Sequence, residues 1–129
     1  MTETIRTRAE IPDQYKWNAA SLYSTEAAWE AEADSLLVKL EDLKRMEGSV
    51  GKSAASLADA LDAGNALLEV LGKVLTYSYN AQAVDNADAN AARMFGKTQS
   101  IFGQILAGIG FIQPEILAID PELLAQWRK

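Results

Sequence analysis

WEAEADSLLVKLEDL, residues 29–43, is the stretch that decides the fold class. Its apolar side chains recur every three or four residues, which is the period of one face of an α-helix. The stripe consists of Trp29, Ala33, Leu36, Leu37, Leu40 and Leu43. Ser24 or Thr25 can cap the start of this helix, and Gly48 suits the position just beyond its end. The stretch therefore predicts an amphipathic helix that packs against other helices.

A second long helix is predicted from Ser53 or Ser56, either of which can cap it, to about Tyr79. Its apolar stripe is predicted to be Leu57, Leu61, Leu68, Leu71 and Leu75. Gly64 and Gly72 lie inside this helix, where each costs up to ~1 kcal/mol relative to Ala. We interpret both glycines as points where another helix approaches closely.

A third long helix is predicted to start at Asn86 or Asp88. Its stripe would be Ala91, Met94, Phe95, Thr98, Phe102, Ile105 and Ile109. The segment ILAGIGFI, residues 105–112, is apolar nearly all round, which predicts burial on more than one side. Gln113 and Pro114 then begin a short helical turn.

A short final helix, PELLAQWRK, is predicted by the pair Asp120 and Pro121, which suit the cap and the first helical position. It has no C-terminal cap before the sequence stops, and helices this short are marginal alone. We therefore expect the chain to be the front piece of a larger protein.

Residues 1–23 show no helical period, and the first nine are expected to be loose. Pro12 favours an extended Ile11, and aromatic side chains follow at Tyr15, Trp17 and Tyr23. No segment alternates apolar and polar residues for the length of a strand. The prediction is an all-α, antiparallel helical bundle of about three long helices plus a short C-terminal helix. It forms a single domain over residues 1–129, with 1–23 as an extended aromatic arm and 24–129 as helices.

Composition narrows the possible functions. The net charge is −6 and the basic residues are scattered, which argues against a nucleic-acid partner. No unbroken apolar run reaches the ~18 residues of a membrane span, and the first residues lack an apolar signal core, so we expect a cytoplasmic protein that binds no membrane. There is no cysteine and no histidine, which removes disulfides, the commonest zinc ligand and the commonest general base.

GSVGKSAAS, residues 48–56, raises the possibility of a phosphate-binding loop. That motif needs G-x-x-x-x-G-K-[ST] between a strand and a helix. Gly51, Lys52 and Ser53 match its end, but Met46 occupies the position of the first glycine and a helix precedes it. A turn between two helices explains the same residues, and nucleotide binding remains a minor third hypothesis.

Other groups of polar or aromatic residues are better explained by structure than by chemistry. DNADAN at residues 85–90 lacks the Gly and the late Glu of a calcium loop and reads as a helix start, although it remains a candidate for lining a cleft. Asp120 and Glu122 suit a helix cap and first turn, and Trp29 and Phe102 lie on predicted core stripes. Glu30, Asp34 and Glu41 form a solvated acidic face of the first helix. Ser21 and Ser100 have no activating base. We therefore predict no catalytic, cofactor-binding or metal-binding residue in this chain.

The N-terminal arm resembles the start of the oligoendopeptidase F family of zinc metallopeptidases (M3 type). The residues that carry this resemblance are Arg8, Glu10, Ile11, Pro12, Tyr15, Lys16, Trp17, Leu22 and Tyr23. Trp29, and a turn formed by Phe111, Pro114, Glu115, Ile116 and Leu117, are also similar to the family. The resemblance covers roughly residues 6–127, with departures at Asn18, Ala19 and Ser24.

The resemblance implies an N-terminal helical domain that packs on a catalytic domain and helps to wall a cleft for short peptides. In that family a His-Glu-x-x-His helix elsewhere in the polypeptide binds zinc and activates water. This chain has no such motif, so the resemblance implies an inactive piece that binds no zinc. If the chain is such a piece, it should expose an apolar face when isolated, and we predict self-association or marginal stability. The alternative is a free-standing acidic helical module that binds a partner protein through its apolar end.

Overall fold

A computed structural model describes residues 4–129 and contains five α-helices. They are α1 (Glu26–Lys44), α2 (Ala54–Val84), α3 (Ala89–Gly108), α4 (Ile112–Leu117) and α5 (Pro121–Trp127). No strand occurs in this part of the chain. The three long helices pack against one another, and α4 contacts α2. The all-α prediction is confirmed.

Helix α1 starts and packs as its sequence predicts. The Thr25 hydroxyl accepts a hydrogen bond from the Ala28 amide (3.1 Å) and caps the first turn. Trp29 is fully buried, and its indole nitrogen donates to the Val74 carbonyl of α2 (3.0 Å). The rest of the predicted stripe is buried, apart from the half-buried Leu37. Gly48 is not the cap of α1, because Lys44 ends the helix, but its positive φ of 83° shapes the turn that follows.

Helix α2 is capped by Ser53, one of the two predicted caps, but it ends at Val84 and not near Tyr79. The sequence pattern also predicted the wrong face of α2 as the buried one. The buried residues of α2 are Ala60, Gly64, Leu67, Leu71, Val74 and Ser78. Leu61 and Leu68, both assigned to the core, are each 40% exposed. At about 100° per residue, the true core face is one residue out of phase with most of the predicted stripe. Small residues on the inner face let the helices approach, while several leucines face outward.

Helix α3 is capped by Asp88, whose carboxylate accepts from the Asn90 and Ala91 amides. Its buried residues are Ala91, Met94, Thr98, Ile101 and Ile105. Phe102, assigned to the core, is 39% exposed. The prediction that residues 105–112 are buried on more than one side is wrong, since Ile105 alone among them is fully buried.

A buried hydroxyl pair joins α2 to α3. The hydroxyls of Ser78 and Thr98 lie 2.8 Å apart, and both residues are fully buried. Each hydroxyl also lies within hydrogen-bonding distance of the carbonyl four residues earlier in its own helix. These bonds satisfy two polar groups that would be costly to bury alone.

Glycines allow close approach at two places in the bundle. A Cβ at Gly64 would lie 3.4 Å from the Ile112 side chain, which agrees with the predicted close contact. A Cβ at Gly108 would lie 2.6 Å from the Leu40 side chain, so any larger residue there would force the buried Leu40 of α1 to shift. The matching prediction for Gly72 is not met within the described residues, because a Cβ there would have no heavy atom within 4 Å.

The N-terminal arm contains three short 3-10 turns, at Arg8–Glu10, Asp13–Tyr15 and Ala19–Ser21, joined by extended residues such as Ile11. The prediction that Met1 to Ala9 are loose lies partly outside the described residues. Trp17 and Tyr23 both contact the ring of Tyr77 on α2, with ring centroids 6.2 and 5.3 Å apart. The arm therefore packs along the bundle through Trp17 and Tyr23, while Tyr15 stays exposed.

Candidate functional site

The loop that resembles a phosphate-binding motif binds a carboxylate of the protein itself. Glu115, on α4, accepts hydrogen bonds from the Gly48 amide (2.9 Å to each oxygen) and the Val50 amide (3.3 Å). Successive backbone amides in a loop can bind an anion, and here the Glu115 carboxylate takes that place. The loop is thereby tied to α4, and its local chemistry is that of a structural anchor.

The acidic face of α1 is paired with basic residues of α3. Lys97 contacts Glu30 and lies 2.5 Å from the Asp34 carboxylate. Arg93 lies 3.3 Å from Glu30 and 3.4 Å from Glu26. The Lys97 ammonium is the main cause of the lowered pKa of Glu30, and Asp34 and then Glu30 raise the pKa of Lys97. This network holds α1 against α3 and leaves no unpaired acid–base couple there.

The polar segment at residues 85–90 forms a turn and a helix start. Asp85 accepts from the Ala87 amide (3.0 Å), and Asp88 caps α3. The Asn90 side-chain amide donates to both oxygens of Glu26, at 2.8 and 2.9 Å. Across residues 4–129, no three acidic side chains come together where they could hold a metal ion.

Neither serine singled out in the sequence is activated. The Ser21 hydroxyl donates to the Asn18 carbonyl (2.7 Å), and Ser100 lies 3.3 Å from the Gln104 amide nitrogen. Both are exposed and neither contacts a basic group that could take its proton. Their contacts are local to one turn and one helix.

An aromatic cluster centred on Tyr77 lies where the arm meets the bundle. Trp17 and Tyr23 meet the Tyr77 ring edge-on, and Trp29 stacks on it with centroids 6.3 Å apart. The Tyr23 hydroxyl is buried without a hydrogen bond, and the Lys73 ammonium lies 4.4 Å from the Tyr23 ring centroid. Burial raises the pKa of Tyr23, and the nearby Glu32 carboxylate adds to this effect. The tyrosine therefore stays protonated and serves packing.

The most prominent uncommitted surface is an apolar face, which we call the outer face. It is formed by Leu61, Leu68 and Tyr79 of α2 and by Phe102 and Leu106 of α3. A groove of about 360 Å³ opens at one end of it, lined by Leu61, Leu68, Leu106, Ile109, Ile112 and Ile116, among others. At the other end, Tyr79 contacts Phe95 with ring centroids 5.7 Å apart. Sequence reasoning missed this surface because it assigned three of its members to the core.

The segment Ala89–Leu117 is long and apolar enough, by length and composition, to cross a membrane. Its most apolar part is only 11% buried. The segment contains no unbroken apolar run long enough to span a membrane, because polar residues such as Lys97, Thr98 and Gln104 interrupt it. However, the uncharged part of α3, residues 98–108, rises only about 16 Å before the helix ends, against ~30 Å for a bilayer core. The feature is weak evidence for a span, and it marks the same exposed apolar surface.

Comparison with known proteins finds similarity to oligopeptidases. The chain is 23% identical over 120 residues to oligopeptidase PepF of Bacillus subtilis, covering 93% of this chain and 18% of that protein. It is 25% identical over 126 residues to the plasmid oligoendopeptidase F of Lactococcus lactis subsp. cremoris, covering 95% and 20%. Group B oligopeptidase PepB of Streptococcus agalactiae is 23% identical over 113 residues, covering 88% and 19%.

These similarities make the chain a distant homologue of oligoendopeptidase F proteins over about nine-tenths of its length. The resemblance inferred from the arm and from the turn at Pro114 and Glu115 is confirmed at that level. The chain spans about a fifth of the length of the relatives it matches. No protein-family profile matches it, and no solved structure matches it significantly.

Proposed function

We propose that this chain is the N-terminal helical domain of an oligoendopeptidase F-like zinc metallopeptidase that hydrolyses short peptides. In this proposal the domain packs on the catalytic domain and helps to wall the substrate cleft. It supplies no catalytic residue and no zinc ligand. The observation that carries the proposal is similarity along nearly the whole chain to oligopeptidases about five times its length.

The chemistry of the chain is consistent with that division of labour. The sequence has no histidine and no cysteine, and residues 4–129 offer no cluster of acidic side chains suited to a metal ion. Its charged groups on α1 and α3 pair with one another, and its loop amides bind Glu115. A role in shaping a larger enzyme needs none of these groups to react.

The first experiment measures the mass of the native polypeptide that carries this sequence, with an antibody raised against the chain. A band several times larger than 14.0 kDa is expected. The larger polypeptide should hydrolyse a short fluorogenic peptide, lose that activity with a zinc chelator and regain it with zinc. The isolated chain should be inactive with or without zinc, and zinc-dependent cleavage by the isolated chain would contradict the proposal.

A second candidate is a free-standing acidic module that binds a partner protein, and the outer face is the observation that favours it. A native band at the mass of the chain itself would favour this candidate, because no catalytic segment would then be attached. The mass of the native polypeptide therefore distinguishes the two hypotheses.

A further inference from the structure

We infer that the outer face of α2 and α3 is the surface that docks on the rest of the polypeptide, with an apolar segment outside residues 1–129 lying across Gly72 and Phe102. This inference rests on the proposed function and specifies which face of the domain makes the contact. It also assigns a role to Gly72, which contacts no neighbouring element within the described residues.

The position of the outer face argues that it is available. Arg93 and Lys97 of α3 contact α1. At about 100° per residue, Phe102 and Leu106 lie on the opposite side of α3 from both of them. Helix α1 therefore covers one side of the α2–α3 pair. The other side is left open except at one end, where Ile112 and Ile116 of α4 line the groove beside Leu61 and Leu68.

The chemistry of the outer face argues for an apolar occupant. Residues 98–114 contain no charged side chain, although the whole chain carries a net charge of −6. The α2 positions that share this face are Leu61, Asn65, Leu68, Gly72, Leu75 and Tyr79, and none is charged. A surface depleted of charge in this way is typical of the centre of an interface.

Gly72 provides a second, independent indication of a close contact. A glycine inside a helix costs up to ~1 kcal/mol relative to Ala. At Gly64 a neighbouring helix is visible, because a Cβ there would be in van der Waals contact with the Ile112 side chain of α4, 3.4 Å away. Gly72 lies one helical turn from Leu68, and the space beside it is open. An apolar segment that crosses α2 at this point would explain why no side chain is present.

The size of the face decides between a tethered segment and a second copy of the chain. From Leu61 to Tyr79, α2 rises about 27 Å, and two adjacent helices are about 20 Å wide, which gives about 500 Å². Stable complexes between separate proteins bury about 800 Å² on each partner. If each side of the contact buries about 500 Å², the total of about 1,000 Å² falls within the range of interfaces between domains of one chain. Tethering also raises the effective concentration to about the millimolar range, so we assign the occupant to the same polypeptide.

Photo-crosslinking in the native polypeptide tests this assignment. A benzophenone amino acid replaces Phe102 on the outer face, or Val38 as a matched control. Val38 is an apolar side chain of α1 that is 65% exposed. We expect the probe at position 102 to crosslink to a peptide from outside residues 1–129 of the same molecule. The yield of this crosslink should be several-fold higher than that from position 38. Tyr79 serves as a second probe site if the first variant does not fold.

Gly72→Arg provides the matching perturbation. Because the space around Gly72 is open, the isolated domain should melt no lower than the wild type. In the native polypeptide, the same change should reduce the crosslink from position 102 several-fold, since a bulky charge would be buried in the contact. Val38→Arg should leave the yield unchanged.

The outcomes separate this inference from the function on which it rests. The mass of the native polypeptide is measured before irradiation, and a mass of 14.0 kDa would overturn the proposed function. If the polypeptide is larger, then crosslinks from position 102 to a second copy, to lipid or to no partner above the level of position 38 would overturn the docking assignment alone.

Discussion

The neighbouring leucines Leu67 and Leu68 offer a sharp test of how α2 is oriented in the bundle. Both are leucines in the middle of one helix, so replacing either with alanine changes helix propensity equally. Leu67 is 3% exposed and contacts the core, whereas Leu68 is 40% exposed on the outer face. The sequence pattern assigned Leu68 to the core, and the structure assigns that role to Leu67.

The two substitutions should therefore differ strongly in their effect on stability. Leu67→Ala removes a buried side chain and leaves a cavity, which costs about 2–5 kcal/mol. Leu68→Ala should cost about 1 kcal/mol, since much of that side chain is already in water. For a chain of this length, each kcal/mol corresponds to about 3–5 °C in melting temperature.

Urea and thermal unfolding of the isolated chain, followed by circular dichroism at 222 nm, measure both effects. The melts are repeated at several protein concentrations, because association through the outer face would stabilise wild type and mutant differently. If Leu68→Ala destabilises the protein as much as Leu67→Ala at low concentration, the orientation of α2 described here is wrong.

Three further changes test the contacts that hold the bundle together. Glu115→Ala should lower the free energy of unfolding by about 1–3 kcal/mol, since it removes a charged acceptor from two loop amides. The control is Glu122→Ala, in the exposed first turn of α5. Equal urea midpoints for the two variants would contradict the anchoring role of Glu115. Trp29→Phe should cost about 1–3 kcal/mol, because the indole donor and part of the buried volume are lost, and an unchanged midpoint in urea would show that this hydrogen bond contributes nothing. The lowered pKa of Glu30 makes its contact with Lys97 stabilising above its usual pKa of 4.5, and that contribution is lost as the pH falls through the lower pKa of the folded state. Lys97→Met should therefore weaken the loss of stability between pH 5 and pH 3 by comparison with the wild type, and identical pH profiles would argue against the ion pair.

The local signals in the sequence were read correctly because each depends on a few neighbouring residues. Thr25, Ser53 and Asp88 cap the three long helices, and Asp120 with Pro121 starts the last one. A capping side chain bonds to an amide two or three residues away, so its effect is written into the local sequence. The distant homology rests in the same way on the order of residues along the chain.

The orientation of α2 and α3 could not be predicted with the same success. Their sequences offer apolar residues on two adjacent faces, and the pattern alone does not say which face meets the partner helices. The structure buries Ala60, Gly64 and Ser78, because small side chains let α2 approach its neighbours closely. The larger Leu61 and Leu68 are thereby turned outward.

The sequence by itself determined the helical class, narrowed the start of each long helix to two candidate caps, and indicated the relationship to oligoendopeptidase F proteins. Only the tertiary structure decided that Glu115 binds the loop amides, that Lys97 pairs with the acidic face of α1, and that Leu68 and Phe102 are exposed. The physical reason is that caps and periodicity act within one helix. The choice of buried face depends on how closely separate helices can pack, which is a property of residues far apart in the chain.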